Sequence, residues 1–249
     1  MSDMHGKVAL VTGSARGIGK AIAERFGRLG ASVVVNYSAS EQPARDTVAE
    51  IERLGGSAIA VQADVARVAD IERLFAIAIE RFGHLDIVVA NAGLEQVDHP
   101  IAEVSEADFD RLYGVNAKGA FFTMQYAAKH VVDQGRIIYI GSSTTSFPTP
   151  GHGLYGSSKL APQFIVEVLA KEVGGRGVTV NSILPSATEG AGVSADEVRP
   201  AVREFVRQFH PIQRMGTLDD IANAVEFLAG EQASFVSGQH LLLSGGGPA

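Results

Sequence analysis

Short apolar runs alternate along the chain with longer segments in which apolar residues recur every three or four positions. Most of the short runs are apolar throughout, as expected for strands buried on both faces of a parallel sheet. The seven predicted strands are 7–12, 32–36, 57–62, 85–90, 136–141, 178–184 and 240–244. The six predicted helices are 17–29, 41–54, 67–82, 105–131, 153–174 and 217–229.

This alternation predicts an α/β fold, namely a Rossmann-type, doubly wound, seven-stranded parallel sheet with helices on both faces. A single domain over residues 1–249 suits the length of the chain. Such sheets bind ligands beyond the carboxyl ends of their strands. Residues 185–215 interrupt the pattern for longer than a plain connection requires, and we expect this segment to form a lid over the substrate.

Composition and charge exclude several classes of partner. Lys and Arg total 21 against 28 Asp and Glu, and the basic residues are scattered, so we expect no nucleic-acid partner. The apolar runs fall short of the ~20 residues that a membrane helix needs, and we expect a cytoplasmic protein with no membrane partner. The chain has no cysteine, and its seven histidines show no HxxxH or HExxH spacing, so no metal site is expected.

A glycine-rich turn follows the first predicted strand. The run TGSARGIG places Gly13, Gly17 and Gly19 where a strand enters a helix. Without side chains, such a turn lets a pyrophosphate approach the positive helix N-terminus. The spacing differs from the common G-x-G-x-x-G fingerprint, but its position after the first strand favours a dinucleotide site.

The end of the second strand indicates which dinucleotide binds. Sites for NAD usually carry an acid there, which bonds the ribose hydroxyls, whereas this chain has Asn36. Arg16, inside the glycine turn, could bind a 2′-phosphate through its guanidinium. NADP is therefore favoured, and NAD remains possible. We expect Asp64 to meet the adenine and the small residues of 91–93 to contact the adenosine ribose.

A tyrosine and a lysine lie four residues apart in the run YGSSK. Tyr155 and Lys159 share one face if a helix begins near Gly153. Taken alone, a tyrosine and a lysine at this spacing are more simply interpreted as two exposed residues on the surface of a helix. We expect the Lys159 ammonium and the positive nicotinamide ring of an oxidised cofactor to lower the pKa of the Tyr155 phenol from ~10, and we expect Lys159 to bond the nicotinamide ribose. Ser142, after the fifth strand, could donate to a substrate carbonyl, and Asn116 could hold a water that relays protons.

Pro162 tests where this helix begins. A helix that starts near Gly153 would have Pro162 past its first turn, where proline removes the hydrogen bond to the Ser158 carbonyl. We therefore predict a local kink, or a water bound at that carbonyl. A helix that began after Lys159 would overturn the argument that the tyrosine and lysine share a face.

Taken together, these motifs resemble the single-domain branch of the short-chain dehydrogenase/reductase family, and within it the 3-oxoacyl-carrier-protein reductases. The resemblance is carried by TGSARGIG, NAG at 91–93, Asn116, Ser142, YGSSK at 155–159 and VNSILP at 180–185. It implies a catalytic tetrad of Asn116, Ser142, Tyr155 and Lys159 that serves hydride transfer from a nicotinamide cofactor to a carbonyl carbon. It also implies a homotetramer built through the two longest helices.

Two departures from the family pattern change the expectation. Where the family usually has glycine, an aliphatic residue and threonine after VNSILP, this chain has Ser186, Thr188 and Gly190, so the nicotinamide contacts must differ in detail. Carrier-protein reductases use two arginines to dock an acidic carrier. Arg176 matches one of them, but Asp133 occupies the other place, so we prefer a small carbonyl substrate.

The predicted site thus contains three groups of residues. The catalytic residues are Asn116, Ser142, Tyr155 and Lys159. The cofactor-binding residues are Gly13, Ser14, Arg16, Gly17, Ile18, Gly19, Asn36, Tyr37, Ser38, Asp64, Val65, Asn91, Ala92, Gly93, Tyr155, Lys159, Pro185, Ser186 and Thr188. The substrate pocket contains Leu94, Glu95, Thr144, Phe147, His152, Val193 and Phe205.

The predicted function is an NADP-preferring oxidoreductase that reversibly reduces a small ketone or aldehyde, with Tyr155 as general acid and base. Three alternatives remain open at this point: an NAD-linked polyol or sugar dehydrogenase, a 3-oxoacyl thioester reductase, and a cofactor-binding regulator without catalysis.

Overall fold

One parallel sheet organises the structure, a computed structural model that describes residues 3–192, 198 and 200–247. Its strands within these residues are β1 (Val8–Val11), β2 (Ser32–Tyr37), β3 (Ser57–Gln62), β4 (Ile87–Ala90), β5 (Arg136–Ile140), β6 (Thr179–Pro185) and β7 (His240–Leu243). The helices are α1 (Gly17–Arg28), α2 (Glu41–Arg53), α3 (Val68–Phe82), α4 (Glu106–Tyr113), α5 (Ala120–His130), α6 (Gly153–Val173), α7 (Pro200–Phe209) and α8 (Leu218–Ala229). The predicted fold class is confirmed.

The strand order creates a crevice at the middle of the sheet. The order is β3-β2-β1-β4-β5-β6-β7, and all neighbouring strands pair in parallel. From β1 the chain first builds outward to β3 and then crosses to β4 on the other side. The loops after β1 and β4 therefore diverge over the sheet, which is where doubly wound folds bind ligands.

The two faces of the sheet are covered by different helices. Ala9 and Val11 of β1 belong to the apolar cluster that α1, α2 and α8 complete. Val8 and Leu10, which alternate with them, belong to the cluster with α3, α5 and α6. Because side chains alternate along a strand, the uniformly apolar sequence of β1 serves both layers. Burial of a large aliphatic side chain stabilises the fold by ~1.5–3 kcal/mol.

The helix predicted over 105–131 is interrupted. A π-helix at Gly114–Gly119 separates α4 from α5. A Cβ on Gly119 would lie 2.9 Å from Cγ2 of Val65, so glycine permits this segment to approach the loop after β3. One-turn π-helices are uncommon and often lie at functional sites. Here the irregular turn carries Asn116.

The segment predicted to be a lid contains α7. Residues 193–197 and 199 lie outside the described residues, so whether 185–215 forms a lid stays a prediction. The helix that carries the tyrosine and lysine begins at Gly153, as predicted, and continues through Pro162. The kink or bound water at the Ser158 carbonyl stays a prediction. In the described part of the chain, no helix combines the length and apolarity needed to cross a membrane.

Candidate active site

The loops after β1 and β4 are tied together beneath the glycine turn. The Thr12 hydroxyl oxygen accepts hydrogen bonds from the backbone N–H groups of Asn91 and Ala92, both at 3.0 Å. The Asn91 amide donates in return to the carbonyls of Thr12 (2.9 Å) and Gly13 (3.1 Å). A Cβ on Gly19 would lie 2.5 Å from Asn91 Nδ2. Gly19 is therefore required for packing, and Asn91 holds the turn in shape.

Asn36 is a structural support for the glycine turn. Its side chain is buried; Oδ1 accepts a hydrogen bond from the Gly13 N–H at 3.0 Å. Its Nδ2 lies within hydrogen-bond distance of the carbonyls of Tyr37 (3.3 Å), Val61 (3.3 Å) and Ala63 (3.0 Å). The amide is thus fully used by the backbone. Its direct contact with a cofactor stays a prediction, while its neutral charge leaves the end of β2 open to a phosphate.

Arg16 is placed to meet a negatively charged group. It precedes α1 with an extended backbone, its side chain is exposed, and within the described chain its guanidinium has no hydrogen-bond or ion-pair partner. Ser38, just beyond β2, is exposed as well. The left-handed φ of Gly13 (63°) and of Gly17 (56°) shapes the turn beside Arg16. This arrangement fits the phosphates of a dinucleotide.

Other predicted cofactor residues have mainly structural contacts. The Ser14 hydroxyl donates to the Val11 carbonyl at 2.7 Å, and Asp64 Oδ1 accepts from the Ala66 N–H at 3.0 Å. Val65 is buried, and Ile18 packs against the core. These residues shape the walls around the turn.

The loop after β6 lies beside the glycine turn. A Cβ on Gly17 would lie 3.4 Å from the Gly190 carbonyl oxygen. The Ser186 N–H donates to the Leu243 carbonyl at 3.1 Å, and the Thr188 hydroxyl donates to the Ser186 carbonyl at 2.8 Å. The fold thus brings the residues that follow Pro185 to the same end of the sheet as the turn.

Lys159 is buried at the centre of the site. Its Nζ donates to the Ile140 carbonyl at 3.1 Å and lies 5.6 Å from the centre of the Tyr139 ring. A Cβ on Gly93 would lie 2.7 Å from Nζ, so the missing side chain leaves room for the ammonium. Burial lowers the pKa of Lys159 to about 8, and the negative charge of Glu95 opposes that change.

Tyr155 remains protonated at neutral pH. Burial is the largest influence on the pKa of its phenol and raises it above the ordinary value, the charge of Glu95 raises it further, and a hydrogen bond with Ser142 lowers it. Among the protein's own residues burial is thus the largest influence, and the lowering of this pKa by Lys159 together with an oxidised nicotinamide stays a prediction. A buried, protonated phenol can act as an acid.

Ser142 is oriented by Thr144. Both the N–H and the hydroxyl of Thr144 donate to Ser142 Oγ, at 3.3 and 3.0 Å. A hydroxyl has one proton and two acceptor sites. Since both acceptor sites are used, the Ser142 proton is available to Tyr155 or to a substrate oxygen. Thr144 was predicted to line the pocket, and its orienting role was missed.

Asn116 joins the π-helix to the loop after β4 and to α6. Its Oδ1 accepts from the Leu94 N–H at 2.8 Å, and its Nδ2 donates to the Leu94 carbonyl (2.8 Å) and to Ser158 Oγ (3.0 Å). Ser158 in turn donates to the Tyr155 carbonyl at 2.7 Å. Both amide protons are used, so the predicted proton-relaying water stays a prediction. Sequence reasoning missed Ser158, whose spacing of three from Tyr155 was the available signal.

The predicted pocket residues are only partly brought together. Leu94 packs against the cluster that contains Tyr155. His152 immediately precedes α6, and its buried Nδ1 has no hydrogen-bond partner among the described residues. Phe205 lies on α7, is 44% exposed, and packs with its ring centroid 4.8 Å from that of Phe209.

The remaining pocket residues differ in how far they can be described. Phe147 is half-buried in the loop before α6. Glu95 acts electrostatically on both Tyr155 and Lys159. Val193 lies outside the described residues.

Comparisons with known proteins agree with this geometry. The family model described as Enoyl-(Acyl carrier protein) reductase matches residues 13–247. Short chain dehydrogenase/reductase AacuN of Aspergillus aculeatus is 43% identical over 98% of this chain and 96% of its own length. Hydroxynaphthalene reductase-like protein Arp2 of Metarhizium brunneum is 39% identical with the same coverage of each chain. The crystal structure of angucycline C-6 ketoreductase LanV with bound NADP is 38% identical, with a TM-score of 0.91 over 98% of this chain and 96% of that one.

Proposed function

The chain belongs to the short-chain dehydrogenase/reductase family and is an NAD(P)-dependent carbonyl reductase, and from this premise we propose that it prefers NADPH and reduces a free, neutral ketone. The observation that carries the proposal is the grouping of Ser142, Tyr155 and Lys159. All three side chains are buried at the carboxyl end of β5 and the start of α6.

The residues of the glycine turn support the preference for NADPH. When bound, the nicotinamide cofactor supplies the hydride for the carbonyl carbon. Arg16 offers an exposed guanidinium at the turn, and the neutral Asn36, next to the last residue of β2, stands where sites for NAD usually carry an acid. A 2′-phosphate would gain a charge-assisted hydrogen bond and meet no carboxylate at that strand end. The NADP bound to LanV is consistent with this proposal.

The chain's own residues supply the proton and orient the substrate. The Tyr155 phenol is protonated at neutral pH and donates its proton to the carbonyl oxygen as that oxygen gains negative charge. Ser142, whose acceptor sites are filled by Thr144, donates a hydrogen bond to the same oxygen. The Lys159 ammonium stabilises the negative charge that remains on the phenolate.

A free ketone is favoured over one that is attached to a carrier protein. Arg176, the one arginine that could dock an acidic carrier, forms an ion pair with Asp133 at 2.9 Å and donates to the carbonyls of Ala128 and Val131. Its charge is therefore largely satisfied within the chain. Partly buried apolar residues such as Leu94 and Phe147 would suit an aromatic or cyclic ketone, as the names of the hydroxynaphthalene and angucycline reductases suggest.

A screen of reduced cofactor against carbonyl compounds tests this proposal. Oxidation of NADPH and NADH would be followed at 340 nm with 1-tetralone, small aliphatic ketones, β-keto esters and acetoacetyl thioesters. We expect turnover of cyclic or aromatic ketones with a higher kcat/KM for NADPH. A preference for NADH would overturn the cofactor assignment, and turnover of thioesters alone would overturn the substrate assignment.

We also propose a homotetramer. Four apolar side chains are exposed on α5 and α6: Phe121 (39%), Leu160 (51%), Phe164 (63%) and Val168 (36%). Apolar side chains grouped on adjacent helices are typical of an interface. Light scattering after gel filtration should give about four times the 26.2 kDa chain mass, and Phe164→Glu should lower it. A monomeric wild-type protein would contradict this proposal.

A cytoplasmic location is part of the same proposal. Its support is that the apolar runs of the sequence fall short of the ~20 residues that a membrane helix needs. Fractionation of the source cells tests it, and recovery outside the cytoplasmic fraction would contradict it.

A further inference from the structure

Glu95 places a negative charge at the mouth of the active site. It follows Leu94 in the loop after β4 and is exposed to solvent. Within the described chain, it is the charged residue that acts on both members of the catalytic pair, since it raises the pKa of Tyr155 and that of Lys159. The carboxylate therefore lies within electrostatic reach of the position that a substrate carbonyl must occupy.

The backbone that carries Glu95 is held firmly. The side-chain amide of Asn116 forms two hydrogen bonds with the backbone of Leu94: its Oδ1 accepts from the Leu94 N–H and its Nδ2 donates to the Leu94 carbonyl, each at 2.8 Å. Gly93, on the other side of Leu94, leaves the space in which the Lys159 ammonium lies. Residues of the catalytic group thus fix the loop on which Glu95 stands, so the position of its charge is coupled to theirs.

The Glu95 side chain extends to the loop after β6. A Cβ on Gly192 would lie 1.9 Å from Glu95 Oε2, so the carboxylate occupies the space that a side chain there would need. Gly192 has a left-handed φ of 56°, which glycine adopts without strain. The carboxylate therefore lies between the loop after β4 and the loop after β6.

A carboxylate in this place discriminates between substrates by charge. It repels an anionic group that enters the same mouth, and it can accept a hydrogen bond from a hydroxyl. We propose that Glu95 is a specificity-determining residue that admits neutral ketones, favours those with a hydroxyl near the entrance, and excludes ketones that carry a carboxylate there. This inference rests on the proposed ketone reduction.

Matched aryl ketones test the inference. The ratio of kcat/KM for 3-acetylbenzoate to that for its methyl ester would be measured with NADPH for the wild type and for Glu95→Gln. We expect removal of the charge to raise this ratio about fivefold, since like charges near a surface interact by about 1 kcal/mol. The difference should shrink at high salt, because the carboxylate is exposed. For 3′-hydroxyacetophenone relative to acetophenone, Glu95→Ala should lower kcat/KM.

Two control variants separate the effect of the charge of Glu95 from the effect of altering this loop in other ways. Glu95→Asp keeps the charge and should leave the acetylbenzoate ratio within about twofold of the wild type. Asp98→Asn removes an acid from the same loop and should also leave it unchanged. An unchanged ratio in Glu95→Gln, or an equal change in Asp98→Asn, overturns the inference while leaving ketone reduction intact.

A binding measurement separates this inference from the proposed function. If the wild type turned over no ketone, the proposed function would fail. The affinities for 3-acetylbenzoate and for its methyl ester would then be compared through dissociation constants, measured by calorimetry with NADPH-loaded protein. Binding of the methyl ester in preference to the carboxylate, lost in Glu95→Gln, would still support the role of Glu95. Failure of the methyl ester to bind would overturn it.

Discussion

Thr144 donates two hydrogen bonds to the hydroxyl oxygen of Ser142, one from its backbone N–H at 3.3 Å and one from its own hydroxyl at 3.0 Å. The 3-10 turn Ser143–Thr145 folds Thr144 back over Ser142 directly after β5. The two bonds fill the acceptor sites of the serine and leave its proton to be donated. Ser142 and Thr144, which lie two residues apart in the sequence, therefore act together as one hydrogen-bond donor.

Thr144→Val should lower kcat for ketone reduction by about three- to tenfold, since a net hydrogen bond is worth ~0.5–1.5 kcal/mol. Valine keeps the shape of threonine but removes the hydroxyl donor to Ser142. Steady-state kinetics with saturating NADPH checks this, and Thr144→Ser should retain most of the activity. Equal kcat values for Thr144→Val and the wild type would show that the hydrogen bond from the Thr144 backbone N–H alone orients Ser142.

Tyr155→Phe should lower kcat by about 10²- to 10⁴-fold, the usual contribution of general acid catalysis. The buried phenol is the acid, and removing its hydroxyl leaves the carbonyl oxygen without a proton donor. Fluorescence titration should show NADPH affinity within about twofold of the wild type. Tyr126→Phe, on α5 against Phe75, serves as the control and should keep full activity. A Tyr155→Phe enzyme that turns over ketones normally would sink the catalytic assignment.

Lys159 should make stability increase with pH. Burial lowers its pKa in the folded chain to about 8 from 10.5, so between these values the unfolded chain binds more protons and the free energy of unfolding rises with pH. Between pH 7 and 9.5, the wild type should gain about 2 kcal/mol relative to Lys159→Met. Urea unfolding of both proteins checks this, and parallel pH profiles would contradict it.

Arg16→Ala should raise KM for NADPH by about 10- to 100-fold, because a hydrogen bond to a charged group is worth ~1.5–3 kcal/mol. KM for NADH should change little, since NADH has no 2′-phosphate. Arg28→Ala, at the end of α1, removes the same charge far from the turn and should leave both values unchanged. Equal losses for the two cofactors would place Arg16 away from the 2′-phosphate.

Asn36→Asp should destabilise the protein by about 3 kcal/mol, because a buried carboxylate would face the carbonyl oxygens of Tyr37, Val61 and Ala63. Ser38→Asp places a similar charge on an exposed residue just beyond β2, and should weaken NADPH binding without that loss. Urea unfolding and cofactor kinetics on both variants check this. Full stability of Asn36→Asp would show that the amide bonds to the backbone contribute little.

Much of the candidate site could be predicted because it depends on local order. Gly13, Gly17 and Gly19 stand between a strand and a helix, and Tyr155 and Lys159 stand one helical turn apart. Such relations follow from the period of the backbone alone. The interrupted helix at 114–119 could not be predicted this way, because the approach of Gly119 to Val65 depends on a loop distant in sequence.

By itself, the sequence determined the seven strands, five of the six predicted helices and the end of the sheet where the chemistry is placed, since apolar periodicity is a property of neighbouring residues. Only the tertiary structure decided the strand order, the inward turn of the Asn36 amide and the charge of Glu95 beside the catalytic pair. It also showed that burial raises the pKa of Tyr155 among the protein's own residues. The physical reason is that burial and hydrogen-bond partners depend on segments that meet only when the chain has folded.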